Sequence, residues 1–195
     1  MIDRRIRLVD GPTAIRPFDR SDLDELVALR RANRAHTEPW EPLRDPSFYG
    51  RSGQRAELEM DARAWEQGVG YAFAVLDART DEIVGRVALA NVVRGAWLNA
   101  TLGYWVSEHV ARRGHGTRGV RLVLAFAFEH AGLHRVQPAI IPRNAASQRL
   151  ALAVGFRHEG LARRYLRING VWEDHDLYAM TAEDWAELRR AERVP

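Results

Sequence analysis

The spacing of apolar residues divides the first third of the chain into two strands and two helices. Residues 6–9 and 13–16 are predicted to form short strands, and Pro17 ends the second because proline cannot donate a ladder hydrogen bond. Leucine and valine then recur at helical spacing over 23–29, behind polar residues that can cap a helix. A further helix is predicted for about 54–66.

A strand pattern replaces the helical pattern in the middle of the chain. Residues 71–76, 83–89 and 99–106 are predicted strands, and their short connections imply antiparallel neighbours. A strand over 135–141 and a helix over 144–154 follow. This part of the chain therefore reads as an antiparallel meander that leads into one crossover unit.

The end of the chain is predicted to be a hairpin and a helix. Strands over 163–168 and 172–179 are joined by Asn169-Gly170, a strong signal for a two-residue turn, and a capped helix starts at Thr181. All elements together predict an α/β fold with a mixed, mostly antiparallel central sheet flanked by helices.

A glycine-rich loop, ARRGHGTRG at residues 111–119, opens directly into an apolar helical run over 120–128. Glycines allow successive backbone N–H groups to converge on one point, and the helix N-terminus adds partial positive charge. Arg112, Arg113 and Arg118 supply full charges. The loop is therefore predicted to bind phosphate groups, which dinucleotides and coenzyme A both carry.

The pattern G-x-G-x-x-G at residues 114–119 also fits dinucleotide binding, so a nicotinamide or flavin enzyme is an alternative. That pattern requires a parallel strand–helix–strand unit with an acidic residue about 20 residues further on. Here the strand before the loop belongs to an antiparallel meander, and the next strand ends in IIPR at 140–143. Coenzyme A is therefore the favoured ligand.

Composition limits the possible chemistry. The chain has 195 residues, 46% of them apolar, and a single domain over 1–195 is expected. It contains no cysteine, which excludes disulfides, thiolate metal ligands and an acyl-cysteine, so any acyl transfer must go directly to the acceptor. The seven histidines have no metal-binding spacing, and no metal site is predicted.

Charge and hydropathy indicate which partners to expect. The net charge is +3 and basic residues are mixed with acidic ones along the chain, so direct nucleic-acid binding is not expected. No segment approaches the roughly 18 apolar residues of a membrane span, and the start lacks the apolar stretch of a signal peptide. We expect a cytoplasmic protein without membrane contact, as a monomer or homodimer.

The order of elements and the loop resemble the GNAT N-acetyltransferases. The phosphate loop of that family reads Gln/Arg-x-x-Gly-x-Gly/Ala, to which residues 111–116 are similar except that alanine occupies the first position. Asn144-x-x-Ser147, with AVGF at 153–156, resembles the family's second cofactor segment. Pro-Trp-Glu-Pro at 39–42 and Trp-Glu-Asp-His at 172–175 resemble ribosomal-protein-alanine N-acetyltransferases of the RimJ and RimL type, RimJ in particular.

The resemblance implies acetyl-CoA as cofactor and a role for each cofactor-side residue. Val106 is the expected backbone donor to the thioester oxygen, and Ser147 is expected to hydrogen-bond or protonate the departing thiolate. The residues expected to contact the cofactor are Trp105, Val106, Arg112, Arg113, Gly114, His115, Gly116, Thr117, Asn144 and Ser147.

The acceptor side is less defined by the sequence. Trp40 and Glu41 stand in a rigid proline-bounded segment that can frame an amine, and Asp174 and His175 can orient a cationic N-terminus. The general base stays open between a water relay and several carboxylates, which are Glu38, Glu41, Glu108, Asp174 and Asp176.

The expected activity is direct transfer of acetyl to a primary amine, namely the N-terminal α-amine of a ribosomal or other protein. A small amine or a lysine side chain is the alternative acceptor, because resemblance in fold constrains chemistry better than substrate. An acyl-CoA-binding regulator without catalysis is the alternative from another class.

Overall fold

The computed structural model describes residues 2–192 and places nine strands of that range in one sheet. Successive strands from the first to the fifth pair antiparallel, the fifth and sixth pair parallel, and the ninth pairs antiparallel with the sixth, seventh and eighth. The predicted mixed, mostly antiparallel sheet is confirmed. The strands are β1 (Leu8–Asp10), β2 (Thr13–Pro17), β3 (Tyr71–Asp77), β4 (Ile83–Val93), β5 (Asn99–Val106), β6 (Arg135–Gln137), β7 (Ala139–Ile140), β8 (Arg157–Ile168) and β9 (Val171–Thr181).

Helices cover both faces of the sheet. Alternate residues of β3 enter two apolar cores, Phe73 and Val75 one and Ala74 and Leu76 the other, so the cores lie on opposite faces. No helix within residues 2–192 is long and apolar enough to span a membrane. The helices are α1 (Leu23–Ala32), α2 (Arg34–Thr37), α3 (Arg51–Gln67), α4 (His115–Ala125), α5 (Ala145–Val154) and α6 (Ala182–Ala191).

Most element boundaries shift by a few residues from the sequence-based expectation, and three differences have a clear structural cause. Pro138 divides the expected strand 135–141 into β6 and β7, because it has no N–H for the ladder. The helix after the glycine loop continues past α4 as a π-helical turn over Phe126–His130. β8 begins at Arg157 rather than 163, since its first half is mostly exposed and carries no alternating apolar signal.

The sheet opens between β5 and β7. β5 pairs with β6 only over Asn99–Thr101. Beyond that point β7 pairs with β9, and β5 pairs only with β4 among the described strands. The break falls at Pro138. Along the described chain, the side of Leu102–Val106 that faces β7 is therefore left without a ladder partner, and backbone groups there are free to bind a ligand.

Candidate active site

A cavity of about 350 Å³ lies at this opening between β5 and β7. α1, α3 and the segment 38–45 border it on one face of the sheet, and the start of α5 borders it on the other. Its volume lies within the range of small-molecule sites. The lining residues that matter below are Arg30, Trp40, Glu41, Glu57, Arg86, Gly103, Tyr104, Trp105, Asn144, Ser147 and His175.

The β4–β5 ladder decides which backbone groups reach the opening. The Ser107 N–H donates to the Val84 carbonyl at 2.7 Å. Because antiparallel residues alternate between facing the partner strand and facing away, the N–H groups of Val106 and Tyr104 point away from β4, towards the opening. The Trp105 N–H points to β4, so Trp105 contributes its indole to the cavity and not its backbone donor.

The glycine loop ends in an uncapped helix N-terminus. Gly114 precedes α4 with φ +85°, and no side chain caps the helix. A Cβ at Gly114 would overlap the Arg118 guanidinium, and the backbone conformation itself disfavours any side chain. The first-turn N–H groups, including those of Gly116 and Thr117, have no intrahelical acceptor and suit an anion. Arg112 and Arg113 are exposed beside them.

His115 does not face the outside of this loop. Its ring is buried, and Nδ1 lies 3.0 Å from Thr13 Oγ1 on β2. Burial lowers the pKa of His115, which favours the neutral ring. The expected phosphate contact can therefore come from the His115 backbone N–H but not from its imidazole.

Ser147 and Tyr104 form a hydrogen-bonded pair at the opening. Asn144 caps α5 by accepting from the Ser147 N–H at 3.1 Å, which fixes the first turn of that helix. Ser147 Oγ lies 2.7 Å from the Tyr104 hydroxyl. Burial raises the pKa of Tyr104 to about 12, so the phenol stays protonated at neutral pH. Tyr104 was not among the site residues predicted from the sequence, although it shares a side of β5 with Val106.

A buried cluster of charges forms the floor of the cavity. The floor cluster consists of Arg30 on α1, Glu57 and Asp61 on α3, Arg86 on β4, and Glu41. Arg30 donates to Glu41 Oε1 at 2.8 Å, and Arg86 holds both oxygens of Asp61 at 2.5 and 2.8 Å. Burial opposes the charged form of Arg86, but the bonds with Asp61 prevail and raise its pKa. Arg86 therefore stays cationic.

Glu41 is anchored through its backbone as well. Its carbonyl accepts from the N–H of Asn169 in the β8–β9 turn at 2.9 Å. The neighbouring Trp40 lies under the Arg143 guanidinium, which in turn pairs with Glu173 on β9 at 2.8 Å. The segment 38–45 and the terminal hairpin thus hold each other in place over the cavity.

The structure brings some of the other acceptor-side candidates together and separates the rest. His175 is buried and lines the cavity. Asp174 faces elsewhere and accepts from the Arg164 N–H at a bulge of β8, at 2.8 Å. Asp176 bonds Gln148 at 2.9 Å and does not line the cavity. Glu38 and Glu108 are also outside it.

Glu57 and Arg30 were missed as site residues, yet the sequence carries a signal for both. Each is a charged residue on the buried face of its helix, where Leu26 on α1 and Leu58 on α3 are apolar. A charge at such a position needs a buried partner, and that requirement points to a polar site.

The chain is similar to known proteins over most of its length. The family described as Acetyltransferase (GNAT) domain matches residues 13–157. The chain is 35% identical over 170 residues to "Probable N-acetyltransferase YjcK" of Bacillus subtilis, covering 87% of this chain and 94% of that protein. It is 32% identical over 185 residues to the [ribosomal protein uS5]-alanine N-acetyltransferase of Escherichia coli, covering 95% of each.

Solved structures give the same result. The ribosomal-protein-S5-alanine acetyltransferase of Vibrio fischeri superposes with a TM-score of 0.86 at 30% identity, over 92% of this chain and 98% of that one. RimJ of Mycobacterium smegmatis, solved in complex with CoA-disulfide, superposes with a TM-score of 0.85 at 31% identity, over 93% and 90%. The chain therefore belongs to the GNAT acetyltransferase family.

Proposed function

We propose that this GNAT enzyme transfers acetyl from acetyl-CoA to the N-terminal α-amine of a protein, with ribosomal proteins as the first acceptors to test. The observation that carries the proposal is the opening between β5 and β7. On one side of this opening lie the glycine loop, which suits phosphate groups, and a backbone N–H without a ladder partner. On the other side lies the cavity, whose floor carries carboxylates. The similarity to uS5-alanine N-acetyltransferase supports the choice of acceptor.

The residues present fit acetyl-CoA, which would supply the acetyl group as a thioester. The uncapped first turn of α4, with Gly114 free of a side chain, would hold the pyrophosphate together with Arg112 and Arg113. The N–H groups that β5 turns towards the opening would hold the pantetheine chain. The CoA-disulfide in the M. smegmatis relative supports this assignment.

Three groups of this chain have roles in the transfer. The Val106 N–H stabilises negative charge on the carbonyl oxygen, since a preorganised donor in a water-poor site strengthens as charge develops there. The Ser147 hydroxyl, held by Tyr104, delivers a proton to the leaving sulfur. Glu41 Oε2 has no hydrogen-bond partner within residues 2–192 and holds the acceptor amine.

The cavity favours a peptide over a small free amine. Its wall includes the exposed side chains of Trp40 and Met60, so it reaches the surface along the segment 38–45 and α3. A cavity of about 350 Å³ accommodates a terminal residue, and the rest of a peptide can lie on this rim. Trp105, whose buried indole N–H lacks a partner in the described chain, is a donor for the first peptide carbonyl.

The test is thiol release from acetyl-CoA with peptides beginning Ala, Ser, Met or Gly, alongside polyamines and aminoglycosides, with mass spectrometry of products. We expect acetylation of the α-amine of the Ala peptide. The matched control is the same peptide with a blocked N-terminus and an internal lysine. Turnover of that control or of small amines alone contradicts the proposed acceptor, and acetyl-CoA binding without any turnover favours a non-catalytic binding protein.

A further inference from the structure

We propose that Glu57 on α3 is a second carboxylate at the acceptor amine and the group that removes its proton. The inference rests on the proposed function and extends it, because it names the proton acceptor of the transfer. It starts from the position of Glu57. The side chain is 9% exposed and lines the cavity, and a carboxylate buried to that extent is costly unless it is fully paired.

Glu57 is incompletely paired in the described chain. Its Oε1 lies 3.9 Å from an Nη atom of Arg30 and 3.9 Å from one of Arg86, beyond hydrogen-bond distance, and its Oε2 has no partner. Asp61, one turn further along the same helix, has both oxygens bonded to Arg86. Asp61 therefore neutralises an arginine, whereas Glu57 still has oxygen lone pairs available for a ligand.

The charges of the floor cluster indicate which ligand that is. Two guanidinium groups, Arg30 and Arg86, face three carboxylates, Glu41, Glu57 and Asp61, which leaves one negative charge without a counter-charge among them. Arg44 also lines the cavity, but its guanidinium lies over the Phe48 ring and pairs with none of these carboxylates within residues 2–192. A primary ammonium carries one positive charge and three N–H donors. Binding an ammonium therefore balances the cluster, whereas an anion or a neutral group does not.

The second unpartnered oxygen belongs to a carboxylate next to the same arginine. Glu41 Oε1 accepts from one Nη atom of Arg30 at 2.8 Å, and Glu57 Oε1 lies 3.9 Å from the other, so both carboxylates lie next to one planar guanidinium. Each presents an Oε2 without a partner within residues 2–192. Two neighbouring acceptors can hold two of the three ammonium hydrogens and leave the nitrogen directed at the opening.

Glu57 is the carboxylate that takes the proton. An α-amine has a pKa of about 8, so it arrives as an ammonium at neutral pH and must lose a proton before it can attack. Glu41 already accepts a hydrogen bond from Arg30, and Glu57 accepts none. One ammonium hydrogen passes to Glu57 and then to solvent. The nitrogen forms the new C–N bond as the C–S bond breaks. Ser147 gives its proton to sulfur and regains one from the second amine hydrogen, and the third hydrogen stays on the amide.

The test compares Glu57→Gln with Glu59→Gln, an exposed glutamate on the same helix. The readouts are steady-state kinetics with the Ala peptide from pH 6 to 8.5, acetyl-CoA affinity and thermal unfolding. We expect kcat/KM for the peptide to fall about 100-fold at pH 7 in Glu57→Gln, with acetyl-CoA affinity unchanged and Glu59→Gln close to wild type. Wild-type kcat/KM should be flat between about pH 6 and 8, while that of Glu57→Gln should rise about tenfold per unit, because only the free amine then reacts.

A purely structural role would lower activity without changing the pH profile, so parallel profiles for Glu57→Gln and wild type overturn the inference. If Glu57→Gln does not fold, Glu57→Asp keeps the charge between the two arginines and withdraws the carboxylate from the cavity. It should then show the same acceptor-specific loss and pH slope to a smaller extent, and wild-type kinetics in it overturn the inference.

The two proposals fail separately. If the enzyme acetylates only a small amine, the peptide proposal fails, and the same profiles measured with that amine test Glu57. If no amine turns over, calorimetric titration of the Ala peptide into the CoA-bound wild type and Glu57→Gln decides. If the wild type and Glu57→Gln bind the Ala peptide equally, or if neither binds it, the role of Glu57 is overturned.

Discussion

The two sides of the opening are built differently. The cofactor side consists mainly of backbone groups from short stretches, the end of β5 with the glycine loop and the start of α5. The acceptor side consists of side chains from α1, the segment 38–45, α3 and β4, which are up to 56 residues apart between Arg30 and Arg86. One side depends on local conformation and the other on long-range charge pairing.

This difference predicts how each side responds to substitution. Backbone donors survive most side-chain changes and are lost only when the chain path changes. In the floor cluster, removing one charge leaves a buried partner uncompensated, so effects of neighbouring substitutions are coupled. On the cofactor side, substitution of a glycine should therefore abolish most cofactor binding, whereas other substitutions there have little effect. On the acceptor side, each substitution should reduce acceptor binding or turnover by a smaller step.

The largest expected effect is that of Gly114→Val. The left-handed φ of +85° excludes a branched side chain, so the loop must move away from the helix N-terminus. The loss of two charge-assisted hydrogen bonds of about 1.5–3 kcal/mol each lowers acetyl-CoA affinity by about 1,000-fold. Titration calorimetry measures this affinity. Gly95→Val, at φ +74° in a turn with open space around it, is the matched control and should bind acetyl-CoA normally. Near-normal affinity in Gly114→Val contradicts the backbone cradle.

The same difference explains what the sequence could reveal. The glycine loop, Asn144 and Ser147 lie in short contiguous motifs whose local geometry follows from residue type, and the predicted loop–helix arrangement is present in the structure. Glu57 and Arg30 meet only because α1 and α3 lie against the same face of the sheet. No local pattern encodes that contact. The sequence could mark each residue as a buried charge but could not identify its partner.

Substitutions of Ser147 and Tyr104, which lie at the opening between the two sides, should lower kcat and leave binding of acetyl-CoA nearly unchanged. Ser147→Ala removes the proton donor to sulfur, and we expect kcat to fall about 100-fold with acetyl-CoA affinity nearly unchanged. Tyr104→Phe loses the 2.7 Å hydrogen bond that orients Ser147, and we expect kcat to fall about 10-fold. The double variant should be no slower than Ser147→Ala, because Tyr104 acts through Ser147. Additive losses would show that Tyr104 acts independently.

A gradual response on the acceptor side is expected from Gly103→Leu. Gly103 lines the cavity, and a Cβ built there meets no atom within 4 Å, so a larger side chain extends into the acceptor space without disturbing the strand. We expect KM for the Ala peptide to rise about tenfold, less for a Gly peptide, with acetyl-CoA affinity unchanged. Gly103→Ala should lie close to wild type. An equal rise for Ala and Gly peptides would place the terminal side chain elsewhere.

The smallest expected effect concerns the imidazole of His115 in the glycine loop. His115 ties the start of α4 to Thr13, and its pKa is lowered below 6.5 by burial, against the opposing charge of Asp77 and with the support of Arg118, Arg79 and Arg113. The unfolded chain therefore binds this proton at a higher pH than the folded chain. The stability contributed by neutral His115 is present above pH 6.5 and lost as the pH falls through the folded pKa. Urea unfolding at pH 7.5 and 5 should show a larger pH-dependent loss in wild type than in His115→Gln. Equal losses would mean that the imidazole does not hold the loop, and that the cofactor side depends on its backbone alone.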